Sequence, residues 1–185
     1  MKTVVVLYGF CEGKRVGRKF HDCLRLAGFE VIEDASKADV IVAHSGGCFL
    51  VPEKTKAKLA LLIGVPVGPA KSLPQHWLRK IAMDVSLHWR EHAMRAWLAK
   101  TFWNGMYFWK ISTDLKMLRA LKSNDIFIPS DSQTVLIHNK GDGSSLKDAH
   151  TLSPRAISYE LPGQHDDLWD NPKPYITLIE ENLLQ

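Results

Sequence analysis

The chain has 185 residues, 24 Lys and Arg against 20 Asp and Glu, and a formal net charge of +4. Its 45% hydrophobic content excludes intrinsic disorder, and 12 Gly and 9 Pro without a period exclude a collagen-like or low-complexity architecture. No apolar run nears the roughly 20 residues of a membrane span, and the opening apolar run (residues 4–7) is too short for a secretion signal. One cytoplasmic domain with no membrane span is therefore expected. Cys11, Cys23 and Cys48 form no C-x-x-C pair and are expected as buried thiols. The basic clusters within 14–19 and 54–58 read as solvated faces, and no nucleic-acid partner is expected.

In chain order, short β-branched runs alternate with helix-like stretches. That is the pattern of an α/β fold with a mostly parallel central sheet flanked by helices. Residues 3–8 form the first strand, ended by Gly9. Residues 14–26 carry Val16, Phe20, Cys23 and Leu24 at helical spacing, and Gly28 follows as a C-terminal cap. Residues 29–32 and 39–43 are the second and third strands, the latter with the buried run Val40, Ile41, Val42. A fourth strand spans 59–67, two more span 133–138 and 155–161, and a terminal helix spans 174–184. Residues 72–122 differ. They hold five of the six tryptophans (Trp77, Trp89, Trp97, Trp103, Trp109) and no convincing strand, and are read as a helical cap inserted between two sheet strands. Their aromatic density fits either helix packing against the sheet or a lid over an apolar ligand.

The chemistry concentrates after the third strand. Val40 to Ala43 runs directly into His44, Ser45, Gly46 and Gly47, so small residues stand two before and two after Ser45. This is the pattern of a nucleophile elbow, in which a serine on a sharp strand-to-helix turn projects Oγ above the sheet edge. The turn also aims the amide of Gly46 at any oxyanion formed there. A serine needs a base and a group to orient that base. Downstream, Asp142 stands in a glycine-flanked loop after the fifth strand, and His165 in a Pro-Gly-x-His loop after the sixth. Asp166 and Asp167 are less well placed substitutes for Asp142. His44 and His138 read as packing or supporting groups, and Cys48 as pointing away from the site.

With this order of Ser, Asp and His, the chain resembles a small α/β-hydrolase, similar in layout to the compact serine hydrolases of the retinoblastoma-binding protein 9 family. The resemblance implies Ser45 as nucleophile, His165 as general base and acid, and Asp142 as the orienting carboxylate. It implies Phe10 and Gly46 as backbone donors to the oxyanion, and Tyr8, His44, Trp103 and Phe108 as substrate contacts. The implied substrate is an ester, thioester or related acyl compound, and no cofactor or metal is implied; the aromatic cap adds the expectation of an apolar acyl or aryl group in that substrate. Tyr8 stands where the family has histidine, Ala43 replaces a glycine, the usual first strands are missing, and the second and third strands are joined by too few residues for a helix.

Two other readings compete. His88, Glu91 and His92 satisfy the H-x-x-E-H pattern of a zinc peptidase, without a compelling third ligand downstream. A binding protein that keeps the fold without turnover is the other.

Overall fold

The computed structural model describes residues 1–9, 12, 14, 16–66, 116, 126, 128–142 and 154–184. The chain divides into two units, Met1–Val67 with Ile126–Gln185, and Gly68–Asp125. The expected cap at 72–122, with Trp103 and Phe108, lies outside the described residues except for Lys116. So do Phe10, Cys11 and the His88, Glu91, His92 set.

The first unit is built on a six-stranded sheet in the order β2-β1-β3-β4-β5-β6. The strands are β1 (Lys2–Leu7), β2 (Phe29–Ile32), β3 (Val40–His44), β4 (Leu59–Ile63), β5 (Gln133–Asn139) and β6 (Ile157–Leu161). Every pairing is parallel, so all six carboxyl ends share one edge. The central strands are fully buried because both faces are covered, which explains their uninterrupted Val, Ile, Leu and Ala runs. The period of two sorts these runs into two cores. Val4, Val40, Val42, Leu61 and Ile137 face the helices α1 (Arg18–Leu26), α2 (Asp167–Asp170) and α3 (Lys173–Leu183), which supply Phe20, Leu24, Leu168, Tyr175 and Ile179. Val5, Ile41, Ala43, Leu62 and Leu136 face the other way, with Cys48, Val51 and Val65.

The strand expectations hold with shifted ends. The fourth strand stops at Ile63, because Gly64 turns the chain at φ +60°. The first helix begins at Arg18 rather than residue 14, with Gly17 at its start giving no side-chain cap. Gly28 ends that helix at φ +84°, as its expected capping role requires. No described helix is long and apolar enough to cross a membrane.

Candidate active site

β3 delivers Ser45 to the shared carboxyl edge, and the chain then winds into a 3-10 turn over Ser45–Leu50. Ser45 has φ +51°, the one positive φ at a non-glycine position among the described residues. A side chain held there costs about 1–3 kcal/mol and persists only where packing enforces it. One source of that enforcement is visible at Gly47. A Cβ on Gly47 would lie 2.3 Å from the Leu7 carbonyl oxygen and 2.8 Å from that of Tyr8, so the end of β1 passes directly against the turn. The small residue two places after the serine is thus a steric requirement of β1. Cys48 turns inward, with Sγ 3.4 Å from the Ala43 carbonyl, and burial pushes its thiol pKa far up. It is an inert core thiol. Cys23, expected as buried, is free and only half-buried.

Asp142 and His165 come together across the loops that follow β5 and β6. His165 Nδ1 lies 2.5 Å from Asp142 Oδ2, with the carboxylate side chain fully buried and the imidazole about one-fifth exposed. A carboxylate only accepts, so Nδ1 carries the proton and Nε2 is left as the basic nitrogen. The two loops are stapled together. Gly141 N–H donates to Gly163 O at 2.9 Å, and Asn139 Nδ2 donates to Gln164 O at 2.5 Å. Tyr175 of α3 donates its hydroxyl to Asn139 Oδ1 at 2.8 Å. Neither Asp166 nor Asp167 takes the Nδ1 position.

Gly64 connects this pair to the serine. It follows Ile63, the β4 partner of His44, so Ser45 and Gly64 leave adjacent strands at the same level. A Cβ on Gly64 would come 2.9 Å from His165 Cε1 and 3.5 Å from Asp142 Oδ2. The imidazole therefore lies over the bare backbone of Gly64. Among the described residues no hydrogen bond joins Ser45 Oγ to His165.

Below the edge lies a polar group the sequence did not reveal. Glu12 is buried and Oε2 accepts from Gly9 N–H at 2.7 Å and meets His44 Nδ1 at 2.9 Å. Trp169 Nε1 donates to Oε1 at 3.3 Å. His44, expected among the substrate contacts, has no exposed surface and sends Nε2 to the His165 carbonyl at 2.9 Å. That location agrees with its reading as a packing or supporting group. Tyr8 is half-buried, with its hydroxyl 2.6 Å from His21 Nε2 and its ring stacked 5.5 Å from that of Trp169. Burial, with the charges of Arg25 and Lys14, lowers the pKa of His21, so the neutral ring accepts from the Tyr8 hydroxyl. His138 is buried with Nε2 on Glu160 at 3.0 Å.

Donor atoms of His44, His165 and Asp166 lie within 4.8 Å of one another. Both nitrogens of His44 already face hydrogen-bond partners outside this set of side-chain atoms, Glu12 Oε2 and the His165 carbonyl. Glu12 had one faint sequence signal, an acid three residues after the glycine that ends the first strand. Two of its partners, His44 and Trp169, are 32 and 157 residues away, which no local pattern reveals.

No family model matches the chain, and no curated protein matches it in sequence. Solved structures do match. The RedJ thioesterase of the prodiginine biosynthetic pathway in Streptomyces coelicolor has a TM-score of 0.64 at 13% identity, over 98% of this chain and 89% of its own. The enol-lactonase of Burkholderia xenovorans LB400 also has a TM-score of 0.64, at 11% identity over 100% of this chain and 92% of its own. Polyneuridine aldehyde esterase has a TM-score of 0.61 at 11% identity, covering 98% of both chains. What is shared at such identities is architecture. With six parallel strands in this order and helices on the sheet, the chain has the α/β-hydrolase fold.

Proposed function

We propose that the protein is a serine hydrolase acting on an ester, thioester or related acyl bond. The observation that carries this reading is a serine held at positive φ on the same sheet edge as a directly bonded Asp142–His165 pair whose carboxylate is buried. In the proposed reaction Ser45 Oγ attacks the carbonyl carbon while its proton passes to His165 Nε2. Asp142 holds Nδ1–H and stabilises the imidazolium that forms. The amides of Gly46 and Phe10 take the tetrahedral oxyanion. Collapse breaks the acyl bond, and the leaving alcohol or thiol takes the proton from Nε2. Water, deprotonated by His165, then attacks the acyl-enzyme, and Ser45 regains a proton as the acid departs. Catalytic hydrogen bonds are often long in ligand-free sites and tighten with substrate, so a serine not yet hydrogen-bonded to His165 is compatible with this chemistry.

The aromatic stretch 72–122 supports an apolar acyl or aryl group as the part of the substrate that is recognised. Within this reading the layout remains similar to that of the retinoblastoma-binding protein 9 family.

The test is labelling with a fluorophosphonate probe. Wild type is expected to label, and Ser45→Ala to lose labelling and hydrolysis by about 10⁴-fold or more while staying folded. Chromogenic esters of increasing acyl length should then show rising kcat/KM toward longer or aryl acyl groups. A folded wild type that neither labels nor turns over would leave a non-catalytic binding protein of this fold.

A further inference from the structure

The pair beneath the serine has a feature that hydrogen-bond chemistry alone interprets. Both ring nitrogens of His44 face oxygens: Glu12 Oε2 and the His165 carbonyl, each at 2.9 Å. A carbonyl only accepts, and a neutral imidazole has one N–H to give. If Glu12 is ionised, His44 must carry two protons. Gly9 N–H on Oε2 and Trp169 Nε1–H on Oε1 are both donated to the Glu12 carboxyl group, and bonds donated to a carboxylate favour its charged state. The two ends of this bridge touch the machinery proposed above. At one end Gly9 is the turn before Phe10, and a Cβ on it would lie 3.0 Å from Ser45 Cβ. At the other end the acceptor is the backbone of His165 itself.

We propose that Glu12 and His44 are positioning residues, a buried carboxylate–imidazolium pair that clamps the Gly9 turn to the loop carrying His165 across the end of β3. The clamp rests on the hydrolase reading for its catalytic consequence, but its existence does not.

The surroundings agree with this charge distribution. Burial by itself lowers the pKa of His44. The charge and hydrogen bond of Glu12, the charge of Asp166 and the His165 carbonyl outweigh it, and the pKa lies above the ordinary histidine value. Tyr8 and Cys48, which also feel the Glu12 charge, stay neutral around pH 7. Burial raises the pKa values of Tyr8 and Cys48, and the charge of Glu12 adds to both. The His165 ring is centred 4.9 Å from that of His44, and the Trp169 ring 5.1 Å away meets it edge to face. Because the pKa is raised in the fold, the clamp is whole at and below the ordinary histidine range of about 6.5. It is lost as pH rises through the folded value.

The experiment is a pair of readouts on the full chain, in wild type, Glu12→Gln and His44→Gln. Nitrogen-15 spectra of labelled histidine rings, followed as pH rises from about 6, are expected to show an imidazole that keeps both protons above the ordinary histidine range, absent in His44→Gln and losing its second proton at lower pH in Glu12→Gln. The His165 ring resonances should shift in both variants. The rate of fluorophosphonate labelling is expected to fall about 10- to 100-fold in each single variant. The double variant should lose little more than either alone. The alkaline limb of the wild-type pH profile should move to lower pH in Glu12→Gln, with no comparable shift in thermal midpoint between pH 6 and 7. Finding no imidazole that keeps both protons above the ordinary histidine range, or unchanged His165 resonances in both variants, overturns the clamp. Ring spectra as expected with no labelling of wild type would instead sink the hydrolase reading and leave the clamp standing.

Discussion

The two edges of the parallel sheet use the same kinds of residue in opposite ways. At the amino edge, Asp39 and Thr3 join the starts of β3 and β1. The Asp39 carboxylate accepts from Thr3 N–H at 2.7 Å and from the Thr3 hydroxyl at 2.9 Å, and Asp39 N–H donates back to the hydroxyl at 3.0 Å. Both residues are half-exposed. At the carboxyl edge, Glu12, His44 and Asp142 are buried, and their bonds reach across 3 to 157 residues of chain. A half-exposed carboxylate is solvated whether or not it is bonded, so the first arrangement is a modest local tie. A buried one without partners is costly, so the second group must be satisfied together or not at all. The carboxyl edge is thus organised around a few interdependent polar groups, and the amino edge is not.

Substitutions should separate the edges by orders of magnitude. Asp142→Asn keeps the size of the side chain but removes the charge that orients His165. A loss of about 10³- to 10⁴-fold in kcat is expected, measured on any ester wild type hydrolyses. A loss below tenfold would mean that Asp142 does not serve His165 in the reaction.

Gly64→Ala is the next in size. The new methyl would meet the His165 ring at 2.9 Å from a backbone at φ +60°. The ring must move, so probe labelling should slow by about 100-fold, and the positive φ should lower unfolding free energy by about 1–2 kcal/mol. Full labelling with a normal melting curve would show that the carboxyl edge tolerates change and would weaken the contrast drawn here.

The smallest effect belongs to the amino edge. Asp39→Asn should lower stability by about 1 kcal/mol and leave kcat unchanged. Hydrogen bonds from the Thr3 backbone and hydroxyl hold the Asp39 pKa below the usual carboxylate value. A depressed folded pKa gives stability that is present above about pH 4 and lost as pH falls through the folded value. The wild-type advantage over Asp39→Asn in denaturant titrations should therefore shrink in acid. A persistent gap at pH 2 would mean that packing, not charge, separates the two proteins.

Much of the fold was legible before any coordinates. Strands with both faces covered must be apolar throughout, so Val40 to Val42 and the run at 59–63 identify themselves as central. Gly28 marks the end of α1 because only that backbone freedom ends a helix so sharply. The serine turn was legible because a strand runs directly into Ser45, Gly46 and Gly47, and at Gly47 there is no room for a side chain. The extent of the 3-10 turn and the stop of β4 at Ile63 were less so, because one glycine's φ and the passage of β1 decide them.

Alone, the amino-acid order determined which segments are strands and that Ser45, Asp142 and His165 each follow one, because hydrophobic period and turn residues act over a few neighbours. Tertiary structure decided that Asp142 rather than Asp166 or Asp167 meets the imidazole, that Gly64 must stay bare beneath it, and that His44 is sealed against Glu12. Those outcomes depend on which chain ends a parallel sheet brings to one edge and on how buried charges find partners there. Such constraints act through space between residues far apart in the chain, and no local pattern records them.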